Sequence, residues 1–433
     1  MEGARRSSFA IAAALVGATA ALAVFLTGAQ PEREPAVSAA PPLPAAQPAA
    51  PPAPAPAPRG LWVLCEGSQR VLEHPDRLEL LLADAEALGV SDLFVQVYRG
   101  GRAWFRTTLA DGAPAAALLR PDGSDALAEL IARAHARGLR VHAWVNVLSL
   151  SANRQAPILL ALGRDAVVVD QKGRSVLDYP EFELPPPDRE WLRMGTPAIW
   201  LDPVVPGVAE RLAATFRELV RGYPGLDGLH LDYLRYPDTL PFSPGTQYGV
   251  GIGFGFGEIS RARFQAETGL VAPFGASLGN AERFDAWRRE KLGALVAAIA
   301  DAARAERPTL RVSAAVIAER ERAYRVDMQD WLGWLDAGRL DFAVPMLYTR
   351  DPSLLRYGVE TYAGLARRRE LWVGLGSWLF AETPELAAEQ LRTASAEPGL
   401  GTALFSWDSI RDAPPLLSAL ATEARRGRQA QPR

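Results

Sequence analysis

The feature that most constrains this chain is an alternation that runs from Arg59 to its last residues. Short apolar runs of strand length are each followed by a stretch with helical spacing, and the pair recurs eight times. The strand runs are Arg59 to Cys65, Ser91 to Val97, Leu139 to Val147, Asp227 to Asp232, Leu310 to Ile317, Leu340 to Leu347, Glu370 to Leu375 and Gly401 to Ser406. The helices are placed near Asp76 to Leu88, Ser124 to Arg137, Gly207 to Arg221, Ala281 to Ala305, Met328 to Asp336, Pro352 to Arg368, Pro384 to Ala396 and Ala413 to Arg425. Gly89 and Gly138 stand where helices should stop. Asp351-Pro352 and Thr383-Pro384 each offer a capping residue with proline at the first helical position. Eight strand-helix units argue for a single (β/α)8 TIM barrel of class α/β, with long loop insertions after strands 3 and 4. Pro345 removes a ladder donor inside the sixth strand and reads as a bulge near its end.

The stretch Asp227-Gly228-Leu229-His230-Leu231-Asp232 carries the most chemistry. Leu229 and Leu231 fall on one face, His230 and Asp232 on the other. The outer face of a parallel barrel packs on helices, so the leucines point outward and Asp232 ends the strand, where such barrels keep their reactive groups. In the third strand His142, Trp144 and Asn146 share a face in the same way, so the two strands should line one cavity. Asp227, in an Asp-Gly turn at the far end, reads as structural.

Taking each strand's C-terminal end, the polar inventory is Glu66, Gln96 with Tyr98 and Arg99, His142 with Asn146, His230 with Asp232, Glu319, Tyr348 with Asp351, and Asp408. Carboxylates with Trp62, Trp104, Trp144, Trp378 and Trp407 suit a sugar, because acids move protons while flat rings stack on pyranose faces. Asp232 is the first catalytic candidate; its alternative is a structural ion pair with Arg235. Glu319 and Asp408 are candidates for the second acid, with Asp202 a rival, although the charged run around Glu319 also fits a solvated face. His142, Trp144, Asn146, His230, Arg235, Tyr236, Tyr348, Trp378 and Trp407 are candidates for contacts to substrate, with Trp144, Tyr236 and Tyr348 equally readable as core. His142 and His230 with Asp232 make a weak metal set, so no metal and no cofactor is expected. The glycines from Gly249 to Gly257 lack the strand and βαβ frame of a dinucleotide loop and read as a flexible lid. His74 and His135 read as surface residues.

Upstream, Arg5 and Arg6 precede an apolar run from Phe9 to Leu26, followed by Thr27-Gly28-Ala29. Residues 1–29 therefore read as a signal peptide or signal anchor, giving export and, if uncut, inner-membrane anchoring through residues 9–26. Residues 30–58 alternate Ala and Pro and read as a disordered tether; 59–426 form the barrel and 427–433 a polar tail. The lone Cys65 excludes an internal disulfide, and a net charge of -3 gives no ground for nucleic-acid binding.

The chain resembles the glycoside-hydrolase-like family 10 of barrel proteins. Arg59-Gly60-Leu61-Trp62-Val63 is similar to that family's opening strand, and Val141-His142-Ala143-Trp144-Val145-Asn146 to its third. Asp227-Gly228-Leu229-His230-Leu231-Asp232-Tyr233, with Arg235-Tyr236-Pro237 after it, resembles its most specific signature. Gln329-Asp330-Trp331 with Trp334, and Val344-Pro345-Met346-Leu347-Tyr348, resemble its later helix and strand. The family's serine-proline turn after the fifth strand is replaced here by Ser313-Ala314-Ala315 and Glu319. The resemblance implies an exported, periplasmic or membrane-anchored hydrolase acting on a polysaccharide, with cell-wall peptidoglycan glycan as the substrate class. A non-catalytic, tethered glycan-binding barrel is the alternative, and a metal-dependent hydrolase a third reading.

Overall fold

The computed structural model describes residues 57–120, 123, 125–241, 251–271 and 278–430. The leader expected over 1–29, nearly all of the tether over 30–58 and residues 431–433 lie outside the described residues.

Eight parallel strands close into a ring: β1 (Arg59–Val63), β2 (Asp92–Arg99), β3 (Arg140–Asn146), β4 (Gly228–Asp232), β5 (Arg311–Ile317), β6 (Phe342–Met346), β7 (Glu370–Gly376) and β8 (Leu400–Phe405). Each pairs with its successor, and β8 returns to β1, with Gly60 opposite Ala403. The expected (β/α)8 barrel is therefore the fold. Around it stand α1 (Pro75–Ala87), α2 (Ala126–His135), α3 (Val208–Gly222), α4 (Leu278–Glu306), α5 (Trp331–Asp336), α6 (Pro352–Ala366), α7 (Pro384–Ser395) and α8 (Pro414–Ala430). Asp351 caps α6 by accepting from the Ser353 and Leu354 amides; Thr383 occupies the same position before α7 without a side-chain bond. The last helix continues to Ala430, so residues 427–430 are helical and not a separate tail.

Alternation decides what fills the ring. Leu229 and Leu231 pack outward in the main core, while Trp62, Phe94, Trp144, Phe342 and Trp372 fill the interior with Ala315 and Ala403. At the strands' N-terminal ends, Arg140 pairs with Asp92 at 2.6 Å and Arg311 with Glu370 at 2.7 Å, a charged floor beneath the aromatic filling. Burial opposes the charge on Asp92, yet hydrogen bonds from His142 and Arg140 hold it down at about 2.

Three local expectations differ from the structure. The fifth helix begins only at Trp331, after a separate short helix Arg320–Arg325, because Met328 takes a left-handed backbone (φ 56°). Pro345 makes no bulge: it faces Val316, and the β6–β7 ladder passes it without a change of register. The glycine-rich stretch, where described, is packed and not a lid. Ile252, Phe254 and Phe256 are buried, and the Gly255 and Phe256 amides both donate to the Val169 carbonyl at 3.0 Å. That contact ties the insertion after β4 to the one after β3, as does the antiparallel pair Arg193–Met194 with Thr239–Leu240. Within the insertion after β3, Val169 bridges Ser175 in antiparallel fashion before a helical turn at Val176–Asp178.

Candidate active site

β4 delivers Asp232 to the C-terminal mouth, and Tyr233 (φ 55°) then turns the chain away through a left-handed conformation. Such a backbone costs a bulky residue roughly 1–2 kcal/mol and collects at functional sites. Asp232 is 6% exposed. Its Oδ1 accepts from the Tyr233 amide at 2.6 Å and its Oδ2 from Trp144 Nε1 at 3.2 Å. Arg235 Nη1 stands 4.0 Å from Oδ1, with the guanidinium over the rings of Tyr233 (4.7 Å) and Trp200 (5.5 Å). Burial pushes the Asp232 carboxyl up, against the opposing pull of Arg235, the Tyr233 amide and the Trp144 indole.

β3 places Asn146 directly beside Asp232 in register. The Asn146 side-chain oxygen accepts from Gln96 Nε2 at 3.2 Å, and Gln96 Oε1 accepts in turn from the Cys65 thiol at 3.2 Å. A wall of rings continues from Trp144 across the mouth. Phe405 lies 6.1 Å from Trp144, Tyr348 4.8 Å from Trp378, and Trp378 5.6 Å from Phe405. Trp378 is 41% exposed, so this wall reaches solvent. Burial, then the charge of Asp232, holds the Tyr348 phenol well above its ordinary range.

The structure thus gathers Asp232, Trp144, Asn146, Arg235, Tyr348 and Trp378 at one end of the barrel, and it places the other candidates elsewhere. His142 lies on the floor, its Nε2 2.9 Å from Asp92. His230 is in the sealed interior, stacked on Phe94 at 4.2 Å, with Nε2 accepting from Trp62 Nε1 at 3.1 Å and Nδ1 2.8 Å from Ser313 Oγ. Burial drives its pKa well below the usual histidine value, so it is neutral. Tyr236 is buried and donates to Asp202 at 3.1 Å; Asp202 also takes the Ser260 hydroxyl and is structural. Trp407 is fully buried and donates to Asp84 at 2.9 Å, an anchor for the helical turn after β8. Asp408 accepts from the Leu64 amide at 3.2 Å and the Gln69 amide at 3.0 Å, so both its oxygens hold the loop after β1. Trp62 and Trp104 are buried, and Glu66 is occupied by Arg102 and Arg99 at 2.5 and 3.7 Å.

Glu319 is exposed where β5 ends, in the wall of a cleft of about 440 Å³ that it shares with Tyr348. Its charge acts on Tyr362, whose phenol is raised first by burial and then by Glu319. Among the described residues, no group of three His, Cys, Asp or Glu is gathered as a metal ion would need.

Sequence reasoning missed Phe405, Tyr233 and Asp327. Phe405 was readable, since it follows Ala403 on the inward face of β8. Nothing in a Tyr announces a positive φ. Asp327 sits beside a charged run yet is fully buried; burial and then the neighbouring Asp238 push its carboxyl up to about 8.

The sequence pattern of the family described as Glycosyl hydrolase-like 10 matches residues 58–362. Glycosyl hydrolase DigH of Escherichia coli (strain K12) is 24% identical over 360 residues, which cover 75% of this chain and 74% of that protein. Among solved structures, β-galactosidase from Bacillus circulans sp. alkalophilus superposes with a TM-score of 0.55 at 12% identity, over 87% of this chain and 56% of that one. α-L-Fucosidase isoenzyme 2 from Paenibacillus thiaminolyticus gives 0.52 at 13% identity, over 86% of this chain and 50% of that one. The chain spans about half the length of those two structures, and the likeness to them is one of fold. The family match runs through every strand from β1 to β6 and most of α6, and on it the chain belongs to the Glycosyl hydrolase-like 10 family.

Proposed function

We propose that this glycosyl hydrolase cuts the glycan strands of the bacterial cell wall outside the cytoplasm, with Asp232 as nucleophile or base and Glu319 as the acid. The observation that carries the reading is the Asp232 carboxylate at the mouth. Two hydrogen bonds fix it, an arginine lies within 4.0 Å, and a wall of aromatic rings suited to a sugar face stands beside it. Of the two partner acids, Asp408 has both oxygens engaged by backbone amides, while Glu319 is exposed just past the end of β5, in the cleft wall. In the reaction Glu319 gives its proton to the departing sugar oxygen as the bond to the anomeric carbon breaks. Asp232 either bonds to that carbon or draws a proton from the attacking water. The leader pattern at Arg5 to Ala29 and the Ala/Pro stretch after it support export, with or without retention in the inner membrane.

Release of reducing ends from purified peptidoglycan glycan tests the proposal. Asp232→Asn should abolish it while leaving the melting curve nearly unchanged; undiminished turnover would overturn the assignment. Glycan bound but never cut by the clean wild-type protein would favour the tethered binding barrel instead.

A further inference from the structure

The cleft beside Glu319 reaches well past that carboxyl. It extends from the ends of β5 and β6 along α6, and a run of residues at helical spacing forms one wall: Leu354, Tyr357, Gly358, Thr361, Tyr362 and Leu365. In a (β/α)8 barrel a helix face at that position is ordinarily covered by the helix before it. Here the chain after β5 supplies only Arg320–Arg325 and Trp331–Asp336, each six residues long, against fifteen in α6. Tyr357 consequently stands 68% exposed and Leu354 41%. The floor is low because Gly358 lets Leu347 lie directly against the helix. The opposite wall is charged, with Glu319, Arg320 and Glu321. An aromatic wall facing hydrogen-bonding groups of both signs matches a sugar chain, whose ring faces are apolar and whose edges carry hydroxyl and amide groups. About 440 Å³ falls within the roughly 300–1,000 Å³ usual for ligand sites.

Tyr348 joins this groove to the mouth, since the same side chain lines the cleft and packs on Trp378 at 4.8 Å and Phe405 at 5.8 Å. We infer that the groove between α6 and Arg320–Arg325 is an extended subsite that holds the length of the glycan strand beyond the bond being cut, with Tyr357 as its stacking platform. The inference rests on the reading that cell-wall glycan is the substrate. It assigns Tyr357 no part in the chemistry.

Tyr357→Ala tests it, because a side chain so exposed is removed at little cost to folding. Binding is measured by titration with purified long peptidoglycan glycan strands and with the single disaccharide, in an Asp232→Asn background so that nothing is cut. Cleavage of the long strands is followed separately in the otherwise wild-type enzyme. Tyr357→Ala should weaken long-strand binding about three- to tenfold, raise KM to match, and leave kcat and disaccharide binding unchanged. Tyr357→Trp should restore the affinity. Long-strand binding equal to wild type would overturn the subsite even if cleavage proceeds. If the glycan is bound with the expected Tyr357 dependence but never cut, the subsite stands and the hydrolytic reading falls. A concentration-dependent dimer by sedimentation, abolished by Tyr357→Ala while glycan affinity is unchanged, would give the groove to a second copy and overturn the inference.

Discussion

Trp144 and Asp232, on neighbouring strands, are joined by a hydrogen bond from the indole Nε1 to the carboxylate at 3.2 Å. The bond favours the ionised carboxylate, against the burial that disfavours it. Trp144→Phe keeps an aromatic ring and removes the donor. It should lower kcat about tenfold, as expected for a hydrogen bond to a charged group worth about 1.5 kcal/mol. The Asp232 pKa should rise further, moving the acid limb of the pH–rate profile to higher pH. A limb that stays in place would show that the indole does not tune this carboxylate.

Asp408 offers the opposite expectation. Asp408→Asn sets an NH2 group against one of two backbone amides that now donate to it. Stability should fall by about 1–3 kcal/mol, the cost of a buried donor left unmatched. Turnover measured well below the new melting point should stay within a few fold of wild type. Loss of activity in a folded variant would return Asp408 to the list of acids.

Asp327 is buried with no hydrogen bond to either side-chain oxygen, and Arg322 Nε lies 3.6 Å away. Its folded pKa, about 8, exceeds the value of about 3.9 for an unfolded aspartate. Below about pH 4 the group is protonated in both states and contributes nothing. As pH rises from about 4 towards 8 the unfolded chain releases a proton that the folded chain keeps, and stability falls. Asp327→Asn should therefore raise Tm, by little at pH 4 and by most at pH 8. A gain independent of pH would refute the buried, protonated carboxyl.

Gly228 opens β4 where a Cβ would run into His142 Nδ1 and come within 2.9 Å of the Arg311 carbonyl. Gly228→Ala should destabilise by about 1–3 kcal/mol, because the floor around Asp92 cannot shift cheaply. Chemical denaturation reads this directly, and an unchanged midpoint would mean that the floor is softer than its hydrogen bonds imply.

Much of the barrel was legible because strand and helix periods are local. Asp232 could be placed at a strand end from alternation alone, and Leu229 and Leu231 on the helix side with it. Alternation assigns a face but not a depth. It put His142 and His230 inward, where they are, without revealing that His142 lies on the floor with Asp92, or His230 in the filling with Trp62. Trp407 and Asp408 failed for a related reason. Their partners, Asp84 and the loop from Leu64 to Gln69, are more than 300 residues away in the chain. The glycine-rich stretch resembled a mobile segment because glycine is permissive of motion, whereas here Phe254 and Phe256 between the glycines pin it.

The floor of Asp92, Arg140, Arg311 and Glu370, with the rings stacked above it, makes the barrel a blind socket. No polymer end can be threaded through such a body. The only approach such a socket leaves to Asp232 is across the rim where the strands end, the side on which the Trp144 indole and the Tyr233 amide hold its carboxylate.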